Sequence, residues 1–332
     1  MLAPLLTCWF LAGSAWGADP LDEPPVEMPI EGVEDEDEDE GVDTDLPPEL
    51  PPEPPPPPTP AELCGQGEVA QCYSAGEAYF SGGDGVPKDQ FRALQLFRKG
   101  CAGEDHRSCF AMAEAFTDGA GVTADAAQAN EAYQKACEYG LGIACRQVGD
   151  QYVLVAANPR DAALWYGIGC ELQDGPSCTA TALAYERGDQ DQSDPERARR
   201  HFLAACQYGS GRGCTLLGYR YSKGLEGAKR DDNVALALFR RGCEADDAEG
   251  CRFLAELHEQ GRGGLPTTGT TVRQAYERAC QLGDTVSCRW VGATNYAAGD
   301  YRKSMLAARR GCELGDTKSC KLAEKAEARR PR

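Results

Sequence analysis

From Leu63 onward, small and aromatic residues recur at the spacings expected of helices. Counted from a cysteine that returns every 32 to 37 residues, the fourth following residue is always small, and the seventh is aromatic in five segments. The small residues are Gly76, Ala113, Gly149, Ala182, Gly218, Ala255 and Gly292. The aromatic ones are Tyr79, Phe116, Tyr152, Tyr185 and Tyr221, with His258 and Asn295 in the last two segments. Spacings of three, four and seven place these positions on one face of a helix, and we assign the rings to the core.

A second helix is predicted after a turn in each segment. Glycine-rich stretches such as SGGDGVPKD and TDGAGVTAD end the first helix and reverse the chain. The second helix then runs to the next cysteine, with an aromatic residue four positions before it in six segments, namely Phe97, Tyr133, Tyr166, Phe202, Phe239 and Tyr276. The chain therefore predicts stacked helical hairpins rather than one globular core.

Cysteine is the most informative residue type in the composition. The 332-residue chain has 17 cysteines, and 16 of them form eight pairs with seven intervening residues. The pairs are Cys64 and Cys72, Cys101 and Cys109, Cys137 and Cys145, Cys170 and Cys178, Cys206 and Cys214, Cys243 and Cys251, Cys280 and Cys288, and Cys312 and Cys320. Each pair brackets a short link such as QLGDTVS between one hairpin and the next, so the periodicity favours local disulfides, although sequence alone does not determine the connectivity.

Other uses of these cysteines fit the sequence less well. Structural zinc prefers cysteines two to four residues apart, often with histidines, and the three histidines occur at unrelated repeat positions. The C-x-x-C motif of redox enzymes does not occur. We expect no metal and no cofactor.

These residues resemble Sel1-like repeats, which are relatives of the tetratricopeptide repeat. The resemblance rests on the small residue and tyrosine of the first helix, the G-x-G-V-x-x-D turn and the alanine-rich, aromatic second helix. The cysteine pairs are similar to those of the Helicobacter cysteine-rich proteins. The resemblance implies an all-α fold, an α/α superhelix (solenoid) at residues 63–332 of about seven repeats and a C-terminal capping helix, held by disulfides.

The resemblance also implies a function in binding. In related repeats the first helices line a concave groove, and the candidate contact residues there are Glu77, Glu114, Asp150, Arg220, Glu256 and Asn295. We expect a protein or peptide partner and a monomeric scaffold. The alternative is binding or weak hydrolysis of β-lactams or cell-wall peptides, although S-x-x-K, S-D-N, K-T-G, G-x-S-x-G and H-E-x-x-H motifs are absent. A third reading is an assembly factor or adaptor in an oxidising compartment.

The N-terminal residues indicate export. Residues 1–17 read as a signal peptide, with an apolar stretch and small residues at Ala15 and Gly17. A lipoprotein anchor at Cys8 fits poorly because Thr7 stands where a lipobox has glycine or alanine. We therefore expect a secreted, periplasmic or cell-surface protein, with no transmembrane segment after signal cleavage.

The charge is concentrated between the signal peptide and the repeats. Residues 18–60 contain 16 acidic residues and no basic ones, and a proline run follows the acidic run. Residues 18–62 are therefore predicted to be a disordered spacer, serving as a tether or a solubilising tail. The rest of the chain holds 37 acidic and 34 basic residues, which argues against a nucleic acid partner.

Overall fold

The computed structural model describes residues 58–83, 85–189, 192–225, 227–263 and 269–329. Within these ranges the chain forms sixteen α-helices and no β-strand, apart from one isolated bridge between Gly83 and Val86. The all-α fold predicted from the sequence is confirmed. No helix among these residues is both long and apolar enough to cross a membrane.

The helices follow one another in pairs of nearly constant length. In chain order they are α1 (Pro60–Gly65), α2 (Val69–Ser81), α3 (Gln90–Ala102), α4 (His106–Asp118), α5 (Ala126–Glu138), α6 (Gly142–Leu154), α7 (Pro159–Glu171), α8 (Gly175–Arg187), α9 (Pro195–Gln207), α10 (Gly211–Lys223), α11 (Asp232–Glu244), α12 (Ala248–Glu259), α13 (Gly269–Gln281), α14 (Thr285–Ala297), α15 (Tyr301–Glu313) and α16 (Thr317–Arg329).

Seven hairpins run from α2/α3 to α14/α15, with α1 before them and α16 after them. We call the even-numbered first helix of each hairpin helix A and the second helix B. Each helix packs on its neighbours in sequence, and several helices A also contact the helix A of the next repeat. This order of contacts is that of a solenoid, in which each repeat touches only its neighbours.

Aspartate residues cap the N-termini of several helices, and glycine residues end others. Asp105, Asp174 and Asp284 accept hydrogen bonds from a backbone N–H in the first turn of their helices, which satisfies a donor that the helix itself leaves unpaired. Gly119 and Gly188 end α4 and α8 in the left-handed conformation, which glycine adopts without steric cost. The fourth repeat therefore ends helix A with a glycine, although its sequence lacks the glycine-rich turn.

The core consists of rings from helices B packed on small residues of helices A. Phe97, Phe202 and Phe239 are at most 1% exposed. A Cβ added to Gly149 would lie 2.6 Å from the Tyr166 ring, and one added to Gly218 would lie 2.9 Å from the Phe239 ring. The predicted partnership between a small residue and a ring is thus the packing unit of each repeat.

The predicted signal peptide and nearly all of the predicted spacer lie outside the described residues. The last part of the spacer differs from the expectation, because α1 begins at Pro60 rather than after residue 62. Thr59 and Glu62 form a reciprocal capping box there, and this local pair of hydrogen bonds starts the helix.

Candidate functional site

All eight predicted disulfides are present, each with 8 residues of sequence separation. Each of the last seven joins a helix B to the next helix A, and Cys64–Cys72 joins α1 to α2, with Cα–Cα distances of 4.4 to 4.8 Å. The link between two such helices is called a junction below. A disulfide at each junction holds the order of the repeats and so positions the helices A side by side.

One surface of the helices A is shared by all repeats and forms the candidate binding face. We call it the helix-A face and define it by the residues one and five positions after the second cysteine of each of the seven repeats. Its members are Tyr73, Glu77, Phe110, Glu114, Arg146, Asp150, Thr179, Leu183, Thr215, Tyr219, Arg252, Glu256, Arg289 and Ala293.

Contacts connect neighbouring helices A beside this face at two places. The Arg107 guanidinium of the second repeat lies 5.1 Å from the centre of the Tyr73 ring of the first. Further along the chain, the rings of Tyr219 of α10 and Phe253 of α12 lie 5.4 Å apart. In the fourth and fifth repeats the face is narrower, because Thr179 and Thr215 are buried.

The first two repeats carry an acidic part of the face. The rings of Tyr73 and Phe110 are partly buried, and the Glu114 carboxylate is repelled both by Glu77 and by Asp118, which lies one helical turn beyond the face. Glu114 itself is exposed, yet the protein atoms around it, together with the charges of Asp118 and Glu77, raise the pKa of its carboxyl. Within the described ranges, none of these three carboxylates forms an ion pair.

Further along the helix-A face, arginine–carboxylate pairs are found instead of unpaired carboxylates. Arg146 Nε lies 3.2 Å from Asp174, Arg252 Nε lies 3.3 Å from Asp284, and Arg289 lies 3.0 Å from Asp316. Each aspartate also caps the helix A of the next repeat. These arginines therefore connect consecutive repeats, and their charge is already neutralised within the protein.

Two predicted contact residues take part in such pairs. The Asp150 carboxylate accepts a hydrogen bond of 2.7 Å from the Tyr166 hydroxyl and lies 4.0 Å from Arg146. Glu256 lies 2.7 Å from Arg252. Both are partly exposed on the helix-A face, next to a cation of their own helix.

Arg220 and Asn295 lie elsewhere, six and seven positions after the second cysteine. Arg220 is 7% exposed, pairs with Glu186, and places its guanidinium 4.2 Å from the centre of the Phe202 ring. Asn295 is 3% exposed and donates to the Val291 carbonyl at 2.9 Å. The structure thus places these two side chains in the packing between helices, away from the surface formed by Glu77 and Glu114.

Sequence reasoning missed a second set of contacts, on the helix B side of the junctions. Two residues before the first cysteine, Lys99, Arg241 and Arg310 donate to backbone carbonyls at the end of the preceding repeat, namely those of Gly65, Cys206 and Cys280. The distances are 3.0, 3.2 and 3.0 Å. The signal was present as a recurring basic residue, but its partner lies 30 to 35 residues earlier and only the stacked repeats bring the two together.

Chemical groups for metal binding or nucleophilic catalysis are not assembled in the described part of the chain. No group of three or more His, Cys, Asp or Glu residues there could hold a metal ion. Among the hydrogen bonds of the same residues, none joins a serine or threonine hydroxyl to a histidine or lysine side chain.

Solved structures with a similar fold are helical repeat proteins. A protective antigen present in uropathogenic Escherichia coli strains, displaying an SLR fold, matches with a TM-score of 0.63 and 24% identity, and the match covers 80% of this chain. The chain spans 58% of the length of that protein. A Sel1 repeat protein from Oxalobacter formigenes matches with a TM-score of 0.56 and 22% identity, over 67% of this chain and 91% of that one.

Helicobacter pylori cysteine-rich protein B is also similar, at 26% identity over 41% of this chain and 97% of that one, with a TM-score of 0.33. No curated protein matches the chain. The Sel1 repeat family model matches residues 69–105, 106–140, 137–174, 176–210, 211–247 and 248–267, which together exceed half of the sequence. The predicted resemblance is confirmed, and the chain belongs to the Sel1 repeat family.

Proposed function

We propose that this protein is an extracytoplasmic scaffold that binds a basic segment of another protein along the first two repeats of its helix-A face. Sel1 repeats typically serve protein–protein interaction. Eight disulfides suggest an oxidising environment outside the cytoplasm. These two findings support a binding protein in general, and the charge of the face supports the kind of partner.

The observation that carries the proposal is the group of carboxylates at Glu77, Glu114 and Asp118. Their mutual repulsion and the raised pKa of the Glu114 carboxyl mean that ionising this group costs free energy in the isolated protein. A lysine or arginine side chain placed among them would relieve that cost, and the adjacent Tyr73 and Phe110 rings supply surface for its aliphatic part. Further along the face the acidic groups Asp150 and Glu256 already have arginine partners.

A selection experiment tests this preference directly. The full oxidised protein is immobilised and used to select from a random peptide display library, and the selected peptides are synthesised and titrated. We expect lysine- or arginine-rich peptides whose binding weakens with added salt, because exposed charges are screened. Binding should also weaken as the pH is lowered into the titration range of Glu114, since protonation removes one of the attracting charges.

Matched glutamine variants locate the binding surface. Replacing Glu77 and Glu114 together by glutamine should weaken binding of the selected peptides about tenfold or more, as expected for the loss of two close charges. Glu138→Gln removes an exposed carboxylate from helix B of the second repeat and should leave binding unchanged. Selection of acidic or neutral peptides, or equal effects of the two kinds of variant, would contradict the proposal.

The location of the protein is part of the same proposal. Residues 1–17 would direct export to the periplasm, the cell surface or the medium, and the part of residues 18–62 that precedes α1 would act as a spacer between the cleavage site and a monomeric scaffold. N-terminal sequencing of the mature protein after cell fractionation checks this, with cleavage after Gly17 as the expected result.

The hydrolase alternative stays a prediction from the family resemblance, because no arrangement of described side chains specifically favours it. Incubating the purified protein with a chromogenic β-lactam checks it, and turnover that survives repurification would support it.

A further inference from the structure

The disulfide Cys170–Cys178 differs from the other seven by a histidine at its sulfur. His201 Nδ1 of α9 lies 3.6 Å from Cys170 Sγ. The imidazole is partly buried and stacks on Tyr185 of α8, with ring centres 5.2 Å apart and planes inclined by 15°. All eight disulfides lie within the described residues, and no other of them has a histidine within hydrogen-bond distance of a sulfur.

The same sulfur lines an open cavity. A cavity of about 410 Å³ lies between the end of α7 and α9, and Cys170, Glu171, His201, Ala204 and Tyr208 are among its lining residues. A volume of this size admits a small thiol compound. The cysteine beside it is 6% exposed, whereas Cys178 is fully buried, so an incoming group would meet Cys170 first.

The cavity lies where two later repeats carry an arginine. Ala204 stands two positions before Cys206, and the corresponding residues Arg241 and Arg310 donate to the carbonyl oxygens of Cys206 and Cys280 in the preceding repeats. Alanine is too short to reach Cys170 in the same way. Other cysteines, such as Cys243 and Cys312, are more exposed than Cys170, so the junction between the third and fourth repeats is distinguished by the nearby imidazole rather than by exposure.

We propose that Cys170–Cys178 is a site of thiol–disulfide exchange with a small extracytoplasmic thiol, whereas the other seven disulfides are structural only. The attacking thiolate forms a bond to Cys170 Sγ, the Cys170–Cys178 bond breaks, and the electron pair leaves with Cys178 Sγ, which takes a proton from water. A second thiolate attacks the outer sulfur of the mixed disulfide and releases the Cys170 thiolate. Two external thiols are oxidised to one disulfide, and the protein gains two electrons and two protons.

The groups that stabilise a thiolate differ between Cys170 and Cys178. Cys178 is the fourth residue of α8, where the positive end of the helix dipole stabilises a thiolate, but the second cysteine of the other repeats has a similar position. His201 is the distinguishing group, because an Nδ1–H tautomer can donate to the Cys170 thiolate as it leaves.

Burial and the charged groups around the imidazole determine whether it is protonated. Burial, followed by the cations Arg200 and Arg197, lowers the pKa of His201, and Glu171 opposes this shift. The imidazole is therefore neutral at physiological pH and acts as a hydrogen-bond donor to the sulfur rather than as a cation. The aromatic groups that face it are Tyr185, which stacks on it, and Tyr208, which lines the same cavity.

Site-resolved reduction of the full oxidised protein tests the proposal. The protein is treated with limiting reduced glutathione and quenched with an alkylating reagent at intervals, and each cysteine pair is quantified by peptide mass spectrometry. We expect Cys170 and Cys178 to become alkylated about tenfold faster than the other cysteines, although Cys243 and Cys312 are more exposed, because only the Cys170 thiolate has a neighbouring imidazole to stabilise it. The glutathione adduct should form on Cys170.

Three variants separate the effect of His201 on the reduction rate from the effect of solvent exposure. His201→Phe keeps a ring on Tyr185 and should bring the rate down to that of the other disulfides. Ala204→Arg restores the covering side chain and should also slow the reaction. Arg241→Ala uncovers Cys206, which has no histidine beside it, and should leave Cys206–Cys214 slower than Cys170–Cys178.

Circular dichroism melts show whether each variant remains folded before its rates are compared. Equal reduction rates for all eight disulfides would overturn the proposal. An unchanged fast rate in folded His201→Phe, or an adduct on Cys178 instead of Cys170, would also overturn it.

Discussion

At the scale of single residues, the junctions depend on complementary small side chains. Gly100, Gly169 and Gly311 precede the first cysteine of three junctions, and a Cβ at any of them would overlap the hydroxyl oxygen of Ser108, Ser177 or Ser319. Where alanine precedes the cysteine, the opposing residue is smaller than serine at two junctions, Ala136 with Ala144 and Ala205 with Gly213, and is Ser287 opposite Ala279 at the third. The Ser108 hydroxyl, which is hydrogen-bonded to Asp105, therefore fits beside Gly100, and an alanine there would need that hydroxyl to move.

Gly100→Ala tests this complementarity. Alanine normally stabilises a helix relative to glycine, but here we expect a loss of about 1–3 kcal/mol in the free energy of unfolding because of the overlap. The double variant Gly100→Ala with Ser108→Ala reproduces the alanine pair of the next junction and should recover much of the loss. Urea denaturation measures both.

Gly167→Ala is the control, since it also lies inside a helix B and a Cβ there would meet nothing within 4 Å. We expect it to be neutral or stabilising. A stabilising effect of Gly100→Ala as well would contradict the packing explanation.

At the scale of helices, the aspartates at the N-termini do more than start each element. Asp284 accepts a hydrogen bond of 2.7 Å from the Ser287 N–H and also lies 3.3 Å from Arg252 of the preceding helix A. Asp174 and Asp316 repeat this arrangement. One carboxylate therefore both caps a helix and connects it to its neighbour in the stack.

Asp284→Ala should destabilise the protein by about 1–3 kcal/mol, because it removes a cap and one partner of a mostly buried arginine. Asp125→Ala removes a helix cap that forms no ion pair with another repeat among the described residues, and its effect should be smaller. Chemical denaturation of both variants at neutral pH measures the difference, and a larger loss in Asp125→Ala would show that the connection to Arg252 contributes nothing.

At the scale of the whole molecule, stability depends on contacts between adjacent repeats. In such an array the free energy of unfolding is approximately a sum of repeat and interface contributions. Each disulfide closes a loop of about nine residues and should add about 2.5 kcal/mol in the chain-entropy model. Its position in the array decides what its removal does to cooperativity.

Replacing both Cys206 and Cys214 by alanine should therefore divide unfolding into two transitions, because it weakens a central junction. The same replacement of Cys312 and Cys320 should lower stability only at the C-terminal end. Hydrogen exchange followed by mass spectrometry distinguishes these results by showing which helices open together. A single shared transition in both variants would indicate that the disulfides do not determine the cooperative unit.

The candidate binding face was only partly predictable. Glu77, Glu114, Asp150 and Glu256 were placed on helix A from their spacing to the cysteines, and all four are exposed or partly exposed at the same position of their helices A. Arg220 and Asn295 belonged to the same predicted set but lie one and two positions further along the helix. About 100° of rotation per residue is enough to turn a side chain from that surface into the packing between helices.

The sequence by itself determined the helices, most of the turns and the repeat period, and its periodicity favoured local disulfides, because each of these depends on residues at most a few turns apart. Only the tertiary structure decided which side chains meet across repeats. The contacts of Arg241 with Cys206 and of His201 with Cys170 join residues 35 and 31 positions apart. The rotation and spacing of successive hairpins determine such contacts, and these depend on how every ring and small residue packs at the interfaces between repeats.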